Sequence, residues 1–134
     1  MKTAATCIPI SPDGEILLQL RDDGNGKEIL YPNMWNFLGG AVEEGETHQV
    51  AAIRELEEET GIKINQQSLE LIWVYDHDGV VDDHIFIVKL QKKDQPKILE
   101  GKDIRWISLF ELKNLALGFG QAVIVPLLQK YFSK

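Results

Sequence analysis

One cysteine, Cys7, stands in the 134 residues of this chain, which excludes an intramolecular disulfide framework and fits a reducing compartment. No apolar run is long enough to span a bilayer. The longest candidate, Leu115 to Leu128, is broken by Gly118, Gly120, Gln121 and Pro126. The start of the chain carries one lysine and a short apolar run ended by Pro9 and Asp13, too brief for a secretory core, so the expected setting is the cytoplasm. No cluster of lysine and arginine offers a nucleic-acid footprint, and a net charge of −7 repels a phosphate backbone. Zinc motifs are absent too, because no histidine–cysteine spacing suggests one. Neither repeats nor low-complexity stretches occur. Hydrophobic residues at 44% and charged residues at 26% then indicate one ordinary globular domain over residues 1–134, with enough apolar side chains for a core.

The acidity is concentrated. Glu43, Glu44, Glu46, Glu55, Glu57, Glu58 and Glu59 share a 17-residue stretch with Arg54, which leaves a local charge of −6. Thr47 to Thr60 reads as a helix with Thr47 as N-cap and Gly61 as its stop. Glu55, Glu58 and Glu59 stand at i, i+3 and i+4 and share a face. Val50, Ile53 and Leu56 are expected to turn to the core, with the small Ala51 and Ala52 near the carboxylates. Like charges one turn apart repel by ~0.2–0.5 kcal/mol per pair on an isolated helix, and a divalent cation reverses that sign. A solvated acidic face is the competing reading of such a helix.

Strands are expected at Thr3–Ile10, Glu15–Arg21, Met34–Leu38, Ile62–Ile64, Leu69–Tyr75, Asp83–Leu90 and Ile104–Ile107. Turns are expected at Pro12-Asp13-Gly14 and Asp76–Gly79, and a polar loop at Asp22–Lys27. Leu109–Leu115 and Gln121–Phe132 read as helices. The fold class is α/β in the mixed, α+β sense, a mixed β-sheet sandwiched between helices.

Gly40 to Ile62, GAVEEGETHQVAAIRELEEETGI, resembles the Nudix box, G-x5-E-x7-R-E-U-x-E-E-x-G-U with U aliphatic. Gly40, Glu46, Arg54, Glu55, Leu56, Glu58, Glu59, Gly61 and Ile62 fill every fixed position. Seven of these demand a single residue type, so chance agreement at one start is on the order of 10⁻⁸.

This resemblance implies the Nudix fold and a metal-dependent hydrolase that cleaves a phosphoanhydride bond in a nucleoside diphosphate linked to another moiety. It implies Mg²⁺ or Mn²⁺ as cofactor. Glu55, Glu58 and Glu59 would be ligands, assisted by the carbonyl of Gly39 or Gly40. Arg54 and Glu46 would brace the loop against the helix, with a surface pair between Arg54 and Glu58 as the alternative. Gly61 would serve a tight turn. Glu58 or Glu100 would take the proton of the attacking water. Glu100, in a loop before Trp106, would complete a second metal site or act as base, or is a surface carboxylate; Asp82, Asp83 and Asp103 are weaker candidates.

For substrate contacts the residues are Arg21, toward a phosphate, and Trp35 and Phe37, toward a nucleobase, with core packing the alternative for both aromatics. His48 lies on the carboxylate face within reach of substrate. His84 reads as a half-buried, satisfied histidine and His77 as a turn residue. The family often has proline before its paired glycines, where Leu38 stands here.

Size and the Glu100–Trp106 segment are similar to mutator-type triphosphate pyrophosphohydrolases. The Gly120–Gln121 region lacks the asparagine that reads an oxidised guanine in such enzymes. The marks of ADP-ribose and coenzyme A pyrophosphatases are missing, and Tyr75 lies closer to the box than the tyrosine of dinucleoside polyphosphate hydrolases. A nucleotide-sugar, ADP-ribose or dinucleoside polyphosphate substrate is the alternative. An isopentenyl-diphosphate isomerase and a non-catalytic nucleotide-binding regulator are rivals of another class. The expected partner is a small nucleotide, not nucleic acid or membrane, and a homodimer is left open.

Overall fold

The structure, a computed structural model, describes residues 2–24, 26, 28–77 and 80–133, with Lys2 and Val81 described by their backbone alone. Six strands form one sheet: β1 (Lys2–Ile10), β2 (Ile16–Leu20), β3 (Trp35–Ala41), β4 (Leu69–His77), β5 (Val80–Lys89) and β6 (Asp103–Ile107). Their spatial order is β4-β5-β1-β3-β2-β6. β1 runs parallel to β5, and the other pairs are antiparallel, so the sheet is mixed.

Side chains alternate across the pleat, and both faces are apolar. One face presents Ile8, Ile10, Leu18, Phe37, Ile85 and Ile87. It is covered by the short helix α2 (Leu109–Leu112) and by α3 (Ile124–Phe132), through Leu112, Ile124, Val125 and Leu128. The other face presents Ala5, Cys7, Leu17, Leu38, Phe86 and Val88, covered by α1 (His48–Thr60) through Ala51, Ala52 and Leu56. Each buried Ile, Leu, Val or Phe among these contributes about 1.5–3 kcal/mol by leaving water. The expected sandwich of a mixed sheet between helices is the architecture observed.

Local chemistry sets the ends of α1. Thr47 Oγ1 accepts the Val50 N–H at 3.1 Å. Gly61 closes the helix at φ 77°, its N–H donating to Glu57 O at 2.8 Å, a left-handed geometry that favours glycine. The inward face differs from the one expected. Val50 is 43% exposed, whereas Ala51 and Ala52 are fully buried beside Leu56. A helix this close to a sheet has room for methyl groups at its contact line, and the small pair takes that line. The carboxylates consequently lie at the rim of the buried face and not opposite it.

Other boundaries shift for similar reasons. Ile62–Ile64 forms no strand. Ile62 is buried in the α1-side core, and the chain runs from there into a 3-10 turn, Gln66–Ser68. Apolarity there reports burial without sheet pairing. β3 continues through Gly39 and Gly40 to Ala41. Residues 109–115 are helical only to Leu112. The terminal helix begins as a 3-10 turn, Gln121–Val123, before α3. The turn expected at Asp76–Gly79 is partly strand, since Asp76 and His77 end β4; Asp78, Gly79, Asn25 and Lys27 lie outside the described residues.

Candidate active site

Strand β3 meets α1 where the strand has no side chains. Glu59, 3% exposed, accepts the Gly39 N–H at 3.0 Å. Glu55 lies over Gly40 so closely that a Cβ there would stand 2.5 Å from Glu55 Oε1. The two glycines make a cradle in which carboxylates occupy the place of side chains.

Arg54 ties this cradle to the preceding loop. Its Nε and Nη2 donate to the two oxygens of Glu46, at 2.7 and 2.9 Å, a bidentate pair. Nη2 also donates to Ala41 O at 3.2 Å. Nη1 donates to Glu55 at 3.0 Å and to Glu58 at 3.3 Å. Glu46 in turn accepts the Glu43 N–H at 2.9 Å. Arg54 therefore links the loop, the end of β3 and two helix carboxylates, and its pair with Glu58 is one contact among several.

Position decides the acidity of each carboxyl. Burial, then the charge of Glu55, pushes Glu59 well above the usual carboxylate range, with Glu100 and Glu58 adding to the effect against the Gly39 hydrogen bond. Burial raises Glu55 as well, opposed by Arg54. Glu46 moves the other way, held down to about 2, chiefly by its hydrogen bonds from Arg54. A poorly solvated carboxyl group flanked by further carboxylates, with one guanidinium at its edge, has a net demand for positive charge.

The cradle opens into a cavity of about 650 Å³ whose wall includes Gly39, Gly40, Glu55, Glu59, Glu100, Arg21, Asn36, Phe37, Phe119 and Gln121. Asn36 is 6% exposed, and its Oδ1 has no hydrogen-bond partner while its Nδ2 donates to Phe37 O at 2.8 Å. A buried, unsatisfied acceptor costs ~1–3 kcal/mol unless a ligand or water meets it. Farther along the wall, His77 Nε2 and Asp83 Oδ2 stand 2.6 Å apart, and Thr6 Oγ1 donates to Asp83 at 3.0 Å. Gln121 Oε1 accepts the Phe37 N–H at 2.8 Å.

Residues 1–128 match the family model of the NUDIX domain. This chain belongs to the Nudix family. Similar proteins include an uncharacterised Nudix hydrolase of Listeria monocytogenes, 34% identical over 112 residues, which are 76% of this chain and 60% of that protein. Among solved structures, MutT of Aliivibrio salmonicida and Vibrio cholerae is 27% identical, with a TM-score of 0.79 over 98% of both chains. A bifunctional NMN adenylyltransferase/ADP-ribose pyrophosphatase of Francisella tularensis, complexed with AMP and a manganese ion, is also 27% identical, with a TM-score of 0.74 over 96% of this chain and 41% of that one. The matched stretches span between 9% and 60% of the length of the first curated relatives.

Within this Nudix domain, the residues singled out from sequence fall into three places. Glu55, Glu59, Gly40 and Glu100 meet at the cavity, with Arg54, Glu58 and Glu46 forming the brace beside them. Arg21 and Phe37 line the same cavity. Arg21 donates through Nε to Leu30 O at 2.8 Å and lies 4.9 Å over the Phe119 ring. Phe37 is both wall and core. Trp35 is not at the cavity; it packs against the α3-side core, which corrects the stacking role given to it. Strand alternation separates the two aromatics from Asn36 between them.

Of the remaining acids and histidines, Asp83 lines the cavity and His84 is partly buried beside Asp82, while others lie elsewhere. Asp103 pairs with Arg105 at 2.5 Å, and Asp82 lies with His48 and His84, away from the cavity wall. His48 faces Thr3 and Asp82 and is not part of the cavity wall. His77 is a buried strand residue and not a turn. Asn36, Asp83, His77 and Gln121 are cavity residues that the motif does not name. Of these only Asn36 carries a signal in the sequence, a polar residue amid the apolar Trp35–Leu38 run.

Hard oxygen donors at Glu55, Glu58, Glu59 and the Gly40 carbonyl fit Mg²⁺ or Mn²⁺, and the buried, charge-crowded Glu59 supplies the demand. Glu58, 48% exposed, leans on Arg54.

Proposed function

We propose that this chain is a divalent-metal-dependent hydrolase cleaving a phosphoanhydride bond in a nucleoside diphosphate linked to another moiety, with a nucleoside triphosphate cut to its monophosphate as preferred substrate. The observation that carries this reading is the glycine cradle. There a buried carboxyl on Gly39 and a second over Gly40 open directly into a cavity large enough for a nucleotide. Mg²⁺ or Mn²⁺, held by Glu55, Glu58, Glu59 and the Gly40 carbonyl, would offset charge on the phosphates. Glu58 or Glu100 would accept the proton of the attacking water, within a carboxylate group that titrates together. Arg54 and Glu46 would hold that group in place. Arg21 would meet the phosphates, and Phe37 with Asn36 the base end. The setting proposed is cytoplasmic, as a monomer or homodimer, with neither nucleic acid nor membrane as partner. No helix among the described residues is long and apolar enough to cross a membrane.

A second reading, an ADP-ribose-type substrate, is favoured by the Francisella tularensis relative. The test is a panel of nucleoside triphosphates, oxidised triphosphates, nucleotide sugars, ADP-ribose and dinucleoside polyphosphates with Mg²⁺ or Mn²⁺, with products identified by mass. Turnover of triphosphates to monophosphate and pyrophosphate supports the first reading, and preferential release of AMP from ADP-ribose supports the second. An isomerase would release no nucleotide product, and a regulator would bind without metal-dependent turnover. Glu58→Gln is expected to leave the fold intact and to lower turnover more than about a hundredfold. Near-normal turnover would remove Glu58 from the mechanism.

A further inference from the structure

Away from the cavity, the first residue of α1 meets the beginning of β5. His48, Asp82 and His84 bring one potential ligand atom each to within 4.8 Å of one another, and they are the group of three that does so among the described residues. The two imidazoles are stacked, with centroids 3.5 Å apart and planes 19° from parallel. The Asp82 carboxylate spans them, Oδ2 at 3.6 Å from His48 Nε2 and Oδ1 at 3.3 Å from His84 Nδ1. Asp82 adopts φ 67°, in the left-handed region that costs a residue with a side chain about 1 kcal/mol or more. Asp82 and His84 stand two residues apart on β5, with the carboxylate and the imidazole turned to one point. Thr3 Oγ1 stands 2.8 Å from His48 Nε2 and donates toward Asp82 O at 3.2 Å, so it buttresses two of the three groups from β1.

We propose that His48, Asp82 and His84 form a second metal site, selective for a borderline divalent ion of the zinc class and separate from the carboxylate cradle. Two ligands on one zinc ion, each bonded at about 2.0–2.1 Å, lie at most about 4.2 Å apart. Both histidine–carboxylate separations already fall inside that span. Two neutral imidazole nitrogens and one carboxylate suit Zn²⁺, Co²⁺ or Ni²⁺, whereas Mg²⁺ favours the all-oxygen cradle. The side chains are 24%, 46% and 21% exposed, which leaves an entry path and room for water at a remaining position. Ligation uses His48 Nε2, the atom 2.8 Å from Thr3 Oγ1, so the ion takes the place of that contact. The ion would tie the start of α1 to β5 and hold the helix that carries the glutamates. The inference does not depend on the proposed hydrolysis.

Zinc titrated into the full chain in excess Mg²⁺ tests it, with imidazole nitrogen shifts read by NMR and affinity by calorimetry. The expected result is that His48 Nε2 and His84 Nδ1 shift together and saturate at one equivalent, while His77 stays still. His48→Gln and His84→Asn, checked for folding by thermal melting, each weaken zinc by about tenfold or more, the least that losing even an outer partner of a site costs. The Glu55→Gln/Glu58→Gln double variant binds zinc unchanged. Histidine rings that do not respond, histidine variants that bind like the parent, or zinc binding lost only in the glutamate variant would overturn the site. All three readouts stand apart from turnover, so an inactive enzyme leaves them intact.

Discussion

Alanine at Gly39 and alanine at Gly40 are expected to damage the protein in opposite ways, although the residues are neighbours on one strand. At Gly39 the backbone has φ 153°, and a Cβ would lie 2.4 Å from Ala5 O and 2.9 Å from Thr6 Cα. Both obstacles are main-chain atoms of β1, the hydrogen-bonded partner strand, and cannot move without breaking the sheet. Backbone strain of ~1–3 kcal/mol and overpacking of ~1–3 kcal/mol together give a loss near 4 kcal/mol, a large part of the roughly 5–15 kcal/mol that holds a domain folded. For a chain of this length that is a fall in Tm of roughly 10–20 °C. At Gly40 the obstacle is the end of a flexible side chain, Glu55 Oε1 at 2.5 Å. The carboxylate swings aside, and the loss of glycine's freedom in the unfolded chain offsets ~0.4–1 kcal/mol. Tm should hold within about 4 °C, whereas turnover should fall about a hundredfold, because positioned charge is worth a few kcal/mol in such a site. Thermal melts of both variants, with initial rates for Gly40→Ala, decide the matter. A folded Gly40→Ala with parental turnover would show that the placement of Glu55 is irrelevant to the chemistry. A Gly39→Ala that melts with the parent would refute the close strand approach.

Other outcomes follow from the same geometry. Arg54→Lys cannot span Glu46, Ala41, Glu55 and Glu58 at once, so turnover should drop about tenfold or more with the fold retained, as read from initial rates at saturating Mg²⁺. Glu46 contributes stability that is present above its ordinary value of 4.5 and is lost as pH falls through about 2. The gap between urea melts of the parent and Glu46→Gln should therefore be full at pH 7 and close toward pH 2. Burial pushes the Cys7 thiol up to about 12, so iodoacetamide at pH 8 should leave the native protein unmodified and label it fully in urea.

The Nudix box was legible because its geometry is local. Helix spacing alone puts Glu55, Glu58 and Glu59 on one face, and Thr47 and Gly61 bound that helix by chemistry acting within four residues. The layered mixed sheet was legible from the apolar, partly β-branched run Thr3–Ile10, from the alternation in Asp83–Leu90, and from helices that fall between and after the strands. What sequence could not supply were meetings across the sheet. Ala51 and Ala52, rather than Val50, face the core because inter-layer distance, not hydrophobicity, selects the residue that fits. Trp35 packs into the α3-side core while Asn36 lines the cavity, a difference set by the elements laid over each face of β3. His48 and His84 are 36 positions apart and share no motif, and they stack because β5 runs beside β1 and the start of α1. Local spacing determined which groups this protein could bring to bear on a phosphate chain; long-range packing alone decided which side chains surround it, since that depends on distances between elements that no window of sequence contains.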